Sequence, residues 1–320
     1  MARFVRPLAG EGAFSFKDDA ARLVPPSGSE LVLTADAIVL GVHAFAEDPP
    51  DLVARKALRM NLSDLAAKGA KPLGFLMTLA LPKELDTNWI EAFFEGLAED
   101  CRLYACPLLG GDTTRTPGPL SVSITLNGAV GKGFMPTRLD ARAGHRDEIA
   151  GTIGDAALGL VQRLEPERGR AWRLTRAERE HLSARYLLPQ PRIALADSVA
   201  RHAHAAMDVS DGLVGDLERL CRASSLSASI DVAQLPLSAA ARKAIGGDAK
   251  ALETVLSGGD DYEILLTFDP GSWPLFRAEC EAKSIAATLI GKMEAGEPGR
   301  VAVMSGGQEL SLSRSAYSHL

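Results

Sequence analysis

The stretch Asn61-Leu-Ser-Asp64-Leu-Ala-Ala-Lys-Gly69-Ala-Lys-Pro72 holds a carboxylate inside an otherwise apolar, alanine-rich segment. Apolar residues recur there at helical spacing, Gly69 is a helix stop signal, and Pro72 lies just beyond it. The pattern predicts a helix over residues 51–68. Considered alone, Asp64 is better explained as a solvated or capping residue of a core helix than as a functional residue.

Carboxylates recur along the chain, each in a short polar cluster beside small residues or at the edge of an apolar run. They are Asp18, Asp19, Asp36, Asp64, Asp112, Asp208, Asp211, Asp260 and Asp261. The cluster that ends at Asp64 is followed by a Gly-Gly-Asp unit that ends at Asp112, and the cluster that ends at Asp211 is followed by one that ends at Asp260. The two distances along the chain are nearly equal. This spacing suggests an ancient internal duplication.

Length and composition exclude several classes of protein. A chain of 320 residues predicts two domains with a substantial core. Hydrophobic residues make up 46% and charged residues 24%, as in ordinary globular proteins. The net charge of −6 argues against a nucleic-acid-binding surface. We expect no nucleic-acid partner, and an anionic substrate would need metal ions or a local basic pocket.

The cysteines and the apolar runs predict a location. Cys101, Cys106, Cys221 and Cys280 show no Cys-x-x-Cys spacing and no nearby paired histidines, which disfavours a zinc site. Free buried thiols in a reducing compartment explain them more simply. The segment before Lys17 lacks a signal-peptide-like apolar run, and no stretch of about 18 apolar residues occurs. We therefore expect a cytoplasmic protein without a membrane partner.

Strand and helix patterns alternate in both halves of the chain, which predicts an α+β architecture. The first thirty residues are predicted to be a loop-rich arm, and residues 131–146 a linker between two domains. A β-rich run with a polar notch at Thr34–Asp36 covers residues 31–43. Residues 107–114 are predicted to be a short strand opening into a glycine-rich turn, and residues 149–154 a strand.

Glycine-rich phosphate loops of the familiar kinds are absent. The chain has neither a Gly-x-x-x-x-Gly-Lys-Ser/Thr element nor a Gly-x-Gly-x-x-Gly after a strand, which disfavours a P-loop enzyme and a Rossmann dehydrogenase. The repeated unit is Gly-Gly-Asp, in which flexible backbone brings a carboxylate close to a ligand. Aspartates with Thr and Ser hydroxyls form a hard-oxygen set that suits Mg²⁺. The alternative is that these aspartates cap helices and turns.

Several motifs, in order over nearly the whole chain, resemble those of the thiamine-monophosphate kinase family. They are Lys17-Asp-Asp-Ala-Ala21, Thr34-Ala-Asp36, Gly41-Val-His43, Arg55-Lys-Ala57, Asn61 to Ala70, Leu109-Gly-Gly-Asp-Thr-Thr114, Gly151-Thr-Ile-Gly-Asp155, Met207-Asp-Val-Ser-Asp-Gly-Leu213 and Gly258-Gly-Asp-Asp-Tyr-Glu263. The family belongs to the ATP-binding superfamily of aminoimidazole ribonucleotide synthetase, selenophosphate synthetase and a hydrogenase-maturation protein.

The resemblance implies two mixed α/β domains of the aminoimidazole ribonucleotide synthetase-like type. Residues 1–136 would form an ATP- and Mg²⁺-binding dimerisation domain, and residues 137–320 a C-terminal domain that completes the active-site cleft. The implied activity is ATP-dependent phosphorylation of thiamine monophosphate to thiamine diphosphate with several Mg²⁺ ions. The implied assembly is a homodimer formed largely by the N-terminal domains.

The resemblance also implies roles for individual residues. The metal ligands would be Asp19, Thr34, Ala35, Asp36, Asp64, Asp112, Asp208 and Asp211. ATP would be bound by Phe94, Gly111, Asp112, Arg138 and Ser210, and thiamine monophosphate by His43, Asp260 and Tyr317. Arg138 and Asp208 would take part in catalysis.

The chain departs from the family pattern at four positions. Lys17 replaces the usual Gly, and Ala35 replaces a Thr or Ser, so a metal contact at Ala35 would use backbone oxygen. Asp260 replaces the more usual Glu, which is one methylene longer, and His145 replaces an Asp near the predicted linker.

Two alternatives to the kinase are compatible with the motifs. One alternative is another ATP-using enzyme of the superfamily. Selenophosphate synthesis would require a cysteine near the start of the chain, but no Cys precedes Cys101. Hydrogenase maturation would require a terminal cysteine, which residues 318–320 do not include. The other alternative is a catalytically silent nucleotide sensor. Retention of the aspartates expected to bind metal argues against it, since a sensor need not keep every ligand.

Overall fold

The computed structural model describes residues 2–83 and 85–316, so Tyr317 lies outside the described residues. The chain forms two compact units. Within the described residues, one unit comprises the chain up to Leu65 together with Ala70–Phe134, and the other comprises Ala66–Gly69 and the chain from Met135. The predicted boundary after residue 136 lies two residues beyond this division, and the predicted roles of the two domains stay predictions.

Helices and strands are interspersed along the chain, and most of the helices belong to the second unit. The helices are α1 Ala2–Val5, α2 Pro50–Ala67, α3 Thr87–Leu103, α4 Asp155–Leu164, α5 Pro166–Ala171, α6 Arg176–Leu187, α7 Ala196–His202, α8 Leu213–Ala223, α9 Ala239–Gly247, α10 Ala251–Ser257 and α11 Trp273–Ala282. The strands are β1 Ser29–Val39, β2 Lys71–Pro82, β3 Leu108–Thr116, β4 Ser121–Gly131, β5 Arg146–Ala150, β6 Ala205–Val209, β7 Ser227–Asp231, β8 Glu263–Phe268, β9 Ala287–Glu294, β10 Val301–Ser305 and β11 Gln308–Glu309.

The first unit is built on a four-stranded sheet in the order β1-β4-β2-β3. β4 is antiparallel to both β1 and β2, whereas β2 and β3 are parallel. Residues in register share a face of the sheet, and alternate residues face opposite sides. One row therefore contains Asp36, Ile124 and Met77, and the next contains Ala35, Thr125 and Leu76.

The two faces of this sheet have different environments. Ile124 is buried, and Leu65 of α2 packs so closely on β4 that a Cβ added to Gly128 would lie 2.7 Å from the Leu65 side chain. On the opposite face, Leu33 and Leu76 keep 64% and 41% of their surface exposed. The helices thus cover one face, and the first unit leaves the other face open.

Helix α2 is held in the first unit by a buried ion-pair cluster with α3. The Asp100 carboxylate accepts a hydrogen bond from Arg59 Nε at 2.6 Å and from Arg55 Nε at 3.1 Å. The side chain of Asp100 is fully buried and that of Arg59 is 2% exposed. The two helices also approach closely at Gly96, where an added Cβ would meet the backbone of Asp51.

The second unit is built on a seven-stranded sheet in the order β11-β10-β7-β9-β5-β8-β6. Strands β6 and β8 are buried on both faces, and their side chains alternate between two cores. Met207 and Leu265 belong to one core, and Ala206 and Ile264 to the other. Phe276 of α11 packs in the second of these cores.

Three sequence-based expectations need correction. Residues 110–112 continue strand β3 instead of forming a turn, because the β2–β3 ladder runs through them. The strand predicted at 149–154 is β5 at Arg146–Ala150, since Gly151 and Gly154 adopt positive φ angles of 103° and 86° that end it. The duplication is also not reflected in the structure, because Asp112 lies on a strand whereas Asp260 lies in a loop before β8.

The four cysteines are free and buried, as expected. Burial raises the pKa of Cys101, Cys221 and Cys280 to about 12, and raises that of Cys106 further. Their thiols are therefore protonated. Within the described residues, no helix is both long and apolar enough to cross a bilayer.

Strand β5 carries two buried acids next to each other. Asp147 and Glu148 are fully buried, and none of their four carboxylate oxygens has a hydrogen-bond partner among the described residues. Asp147 interacts electrostatically with Cys221, and Glu148 with Cys280, which belong to the two different cores. Burial raises the pKa of both carboxyl groups well above the ordinary range.

We predict that Glu148→Met raises the free energy of unfolding by about 1–3 kcal/mol at pH 8, because it replaces an unsatisfied buried polar group by an apolar one of similar size. The folded pKa lies above the unfolded value of about 4.3, so the part of the wild-type penalty that comes from ionisation is absent below that value and grows as the pH rises toward the folded pKa. Denaturant unfolding at pH 5 and pH 8 measures the difference.

The matched control is Glu263→Met. Glu263 is equally buried but accepts hydrogen bonds from two arginines, so its loss should destabilise the protein by about 3–5 kcal/mol. Equal destabilisation by both substitutions would contradict the assignment of Glu148 as an unsatisfied acid.

Candidate active site

In the first unit, Asp64 and Asp36 lie between α2 and β1. The Thr34 hydroxyl donates a short hydrogen bond to the Asp64 carboxylate. The Asp36 N–H donates to Asn61 Oδ1 at 3.1 Å, and the Asn61 amide is anchored in turn to the Ala57 carbonyl at 3.1 Å. Asp64 therefore does not cap the start of a helix: it lies in the last turn of α2, held against the polar notch of β1.

The other sequence-predicted residues near β1 have varied surroundings. Asp19 is exposed, and its N–H donates to Asp18 Oδ1 at 2.7 Å. The Ala35 side chain faces the open side of the sheet, opposite to Thr34 and Asp36. His43 follows β1 in a turn, where its Nδ1 accepts the Val39 N–H at 3.1 Å.

Phe94 on α3 is 4% exposed and stacks on Phe4 with ring centroids 5.7 Å apart. It also meets Phe93 edge to face at 5.4 Å. Its place in the first unit is therefore an aromatic cluster, and its assignment to ATP binding stays a prediction.

Gly111 and Asp112 lie on β3, at the opposite edge of the sheet from β1. A Cβ on Gly111 would clash with the Met77 backbone, so glycine is required for the close approach of β3 to β2. Asp112 is exposed, and its Oδ1 accepts the Thr113 N–H at 2.8 Å. Because three strand spacings separate β1 from β3, Asp36 and Asp112 lie about 14 Å apart across one sheet.

In the second unit, Asp208, Ser210 and Asp211 follow one another at the end of β6. Asp208 is 5% exposed, and the other two residues are half-buried. The turn is fixed by Asp216 of α8, whose Oδ2 accepts the N–H groups of both Ser210 and Asp211 at 3.0 Å.

Arg219 joins the two carboxylates at this turn. Its guanidinium donates to Asp211 at 2.5 Å and to Asp216 at 2.6 Å. Burial raises the pKa of Asp216 to about 6, although the backbone N–H of Asp211 and the charge of Arg219 act to lower it. Neither Asp216 nor Arg219 was identified from the sequence.

The remaining predicted residues of the second unit lie in loops. Arg138 is exposed, and its carbonyl accepts the Ser224 hydroxyl at 2.7 Å. Asp260 is half-buried with a positive φ of 72°, and its Oδ1 accepts the Tyr262 hydroxyl at 3.3 Å. Tyr317, the third residue assigned to the substrate, is outside the described residues.

Sequence reasoning missed a buried polar cluster around Asp155. The Asp155 carboxylate accepts hydrogen bonds from Thr152 Oγ1 at 2.8 Å, from Ser238 Oγ and from His181 Nε2 at 3.0 Å. Burial acts to raise the pKa of Asp155, but these bonds lower it below its ordinary value, and the bond to Asp155 raises the pKa of His181. Thr152 and Asp155 belong to a motif quoted above, whereas the two other partners are distant in sequence.

The oxygen atoms near β1 have the chemistry that Mg²⁺ requires. Thr34, Asp36 and Asp64 supply the hard oxygen atoms that this ion prefers. Among the described residues, no three Asp, Glu, His or Cys side chains are grouped closely enough to hold a metal by themselves. The chemistry of the ligands thus fits Mg²⁺, with further ligands needed from phosphate oxygens or water.

Two family models match this chain, covering residues 17–130 as the N-terminal domain and residues 153–304 as the C-terminal domain of AIR synthase related proteins. The thiamine-monophosphate kinase of Caulobacter vibrioides is 40% identical over 324 residues, a match that covers 100% of this chain and 89% of that protein. The chain belongs to the thiamine-monophosphate kinase family. The resemblance seen in the motifs is thereby confirmed.

Solved structures of the family have the same fold. The thiamine-monophosphate kinase of Stenotrophomonas maltophilia matches with a TM-score of 0.82 and 38% identity, covering 92% of this chain and 90% of that one. A structure described as AaThiL complexed with AMPPCP and TMP matches with a TM-score of 0.79 and 30% identity, covering 95% and 91%. The expected α+β fold of two mixed α/β domains, neither P-loop nor Rossmann, is confirmed.

We predict that His181→Asn removes a pH-dependent part of the stability. The bond between His181 and Asp155 contributes fully below the unfolded histidine pKa of about 6.5 and is lost as the pH rises through the raised folded pKa. At the acid end it is lost as the pH falls through the lowered folded pKa of Asp155. The free energy of unfolding of the wild type should therefore exceed that of the variant most between about pH 4 and 6.5. Denaturant unfolding from pH 4 to 9 measures this difference. A constant difference would exclude a charged histidine.

Proposed function

We propose that this protein phosphorylates thiamine monophosphate to thiamine diphosphate with ATP as phosphate donor. The observation that carries the proposal is the family membership over the full chain, together with the Asp36, Asp64 and Asp208 carboxylates at their motif positions. The family structure named with AMPPCP, an ATP analogue, and TMP supports the same pair of substrates. The proposal includes the expected cytoplasmic location, where ATP is abundant.

The proposed metal ligands are Asp19, Thr34, Ala35 through its backbone, Asp36, Asp64, Asp112, Asp208 and Asp211. Bound Mg²⁺ would supply positive charge that offsets the charge of the phosphate oxygens. The role of the chain is to hold hard oxygen donors in fixed positions, and the bond from the Thr34 hydroxyl to Asp64 does this in the first unit.

Thiamine monophosphate offers an already ionised phosphate oxygen as the attacking group, so no strong general base is required. Positioning and charge neutralisation then supply most of the catalysis. We assign ATP contacts to Phe94, Gly111, Asp112, Arg138 and Ser210, with Arg138 and Ser210 near the phosphates, and substrate contacts to His43, Asp260 and Tyr317. Asp208 and Arg138 are the proposed catalytic residues.

A catalytically silent nucleotide sensor is the alternative of another class. It would bind ATP without forming thiamine diphosphate. Product analysis in a single turnover, with thiamine monophosphate offered beside thiamine, separates the two. Formation of thiamine diphosphate only from the monophosphate supports the kinase, and unchanged ATP in both reactions would exclude it.

We predict that Asp64→Asn and Asp208→Asn each reduce turnover at least about 100-fold, because each removes one charge from the metal-binding set without changing side-chain volume. Steady-state assays at limiting Mg²⁺ measure the loss, and the melting temperature shows whether the fold is kept. The matched control is Asp248→Asn, which breaks an ion pair with Arg168 away from the proposed ligands. Wild-type turnover in both variants would exclude the metal assignment.

We further infer that the protein is a homodimer whose first units meet. On β1, β4 and β2 the open face of the sheet is uncharged in its rows Ala35–Thr125–Leu76 and Ala37–Ser123–Thr78, which suits contact with a second copy. The second row continues on β3 to the exposed carboxylate of Asp112. Asp36 and Asp112 are too far apart in one sheet to share an ion with ligand distances of about 2.1 Å. If the β1 edge of one copy adjoins the β3 edge of the other, the two carboxylates meet in trans.

A mixed dimer tests this arrangement. Asp36→Asn and Asp112→Asn should each inactivate the homodimer, whereas a purified mixed dimer should recover about half of the wild-type activity because one of its two sites is intact. Differently tagged copies, co-expressed and purified through both tags, provide the sample, and light scattering gives its mass. An inactive mixed dimer would show that each site is complete within one copy.

A further inference from the structure

The loop that carries Asp260 is laid across the end of strand β6. The Asp260 N–H donates to the Ser210 carbonyl at 2.8 Å, and the Tyr262 N–H donates to the Val209 carbonyl at 2.8 Å. A Cβ on Gly259 would clash with the Ser210 carbonyl, so this approach requires glycine there. The loop and the β6 turn are thus joined by their backbones.

This loop holds two non-glycine residues in an unfavourable backbone conformation. Asp260 has a φ of 72° and Tyr262 a φ of 51°, both in the left-handed region. For L-residues such a conformation persists only where surrounding contacts determine it. The residue between them, Asp261, and the residue after them, Glu263, are fully buried and supply those contacts.

The Asp261 side chain ties the loop to the beginning of α4. Its carboxylate accepts the Gly154 N–H at 2.6 Å and the Ala156 N–H at 3.2 Å. Arg185 of α6 donates both to the Asp261 carbonyl at 3.2 Å and to Glu263 Oε1 at 2.7 Å. Every residue of the loop after Asp260 is therefore bonded to a neighbouring element.

Arg192 completes this support from the segment between α6 and α7. Its Nε and Nη2 donate to the two oxygens of Glu263, each at 2.5 Å, which is the forked geometry of a bidentate pair. Lysine has the same charge but lacks the two parallel N–H donors of a guanidinium, so it would not fix the Glu263 carboxylate in the same orientation.

We infer that Arg192, Glu263 and Tyr262 are positioning residues that hold Asp260 toward the phosphate-accepting substrate. The inference rests on the proposed function, in which Asp260 contacts thiamine monophosphate. The Tyr262 hydroxyl bonds directly to Asp260, whose side chain is one methylene shorter than the glutamate usual in the family. The fork of Arg192 on Glu263 sets the backbone on which both residues stand.

Besides its backbone bonds to the Asp260 loop, the β6 turn has side-chain supports of its own. Asp216 accepts the N–H groups of Ser210 and Asp211, and Arg219 donates to Asp211 and Asp216, at a turn that is assigned to ATP and metal. A change at Arg192 or Tyr262 should therefore affect the acceptor substrate more than ATP. The expected result is a change in KM for thiamine monophosphate with little change in KM for ATP.

The experiment compares Tyr262→Phe and Arg192→Lys with wild type. Tyr262→Phe removes one hydroxyl and should raise KM for thiamine monophosphate by about 2- to 12-fold, the factor of one hydrogen bond. Arg192→Lys should raise the same KM by about 3-fold or more. For both variants KM for ATP should stay within about 2-fold of wild type.

Arg168→Lys is the matched control. The Arg168 side chain is 20% exposed and that of Arg192 is 21% exposed, and each donates to a carboxylate, but the partners of Arg168 are Asp248 and Thr254 instead of Glu263. It should lower the melting temperature as Arg192→Lys does while leaving both KM values unchanged. If Arg192→Lys behaves like this control, Arg192 is only structural and the inference is wrong.

A double-mutant cycle with Asp260→Asn tests whether Tyr262 acts through Asp260. If it does, adding Tyr262→Phe to Asp260→Asn should change KM for thiamine monophosphate less than about 1.5-fold. Additive effects, or equal changes in both KM values, would overturn the inference while the kinase activity stands. A wild-type protein that makes no thiamine diphosphate would overturn the proposed function itself.

Discussion

The arrangement of the first unit depends on the rotation of α2 about its own axis. The buried Asp100 carboxylate fixes this rotation, because Arg55 and Arg59 lie one turn apart and both bond to it. Separating either partner would leave a buried charge without compensation. With that side of the helix bound to α3, the residues two and five positions further on, Asn61 and Asp64, face β1. A structural ion pair thus sets the position of a carboxylate assigned to metal binding.

Much of the fold was predictable from local patterns. The helix predicted at 51–68 is α2, and the run predicted at 31–43 overlaps β1 at Ser29–Val39, because amphipathic spacing and glycine or proline stops are local signals. The Gly-Gly of β3 was misleading. Glycine there serves the close approach of a neighbouring strand, a tertiary requirement that looks the same in sequence as a turn.

The candidate site was predictable only in part. The motifs identified Asp36, Asp64, Asp208 and Asp260 as positions of interest, yet not what holds them. Their supports come from residues far away in sequence, as with Glu263 and its two arginine partners, and a single sequence does not reveal such pairs. Side chains assigned to a ligand belong to recognisable sequence motifs, whereas the side chains that support a loop are identified only from their contacts in the structure.

The adjacent acids of β5 have a consequence for the assembly of the second unit. In an unfolded chain at neutral pH, Asp147 and Glu148 are ionised, whereas burial favours their protonated forms in the sheet. Folding is therefore coupled to proton uptake from the solvent. The heat measured for folding includes the ionisation enthalpy of the buffer, so the same transition releases different heats in phosphate and in Tris.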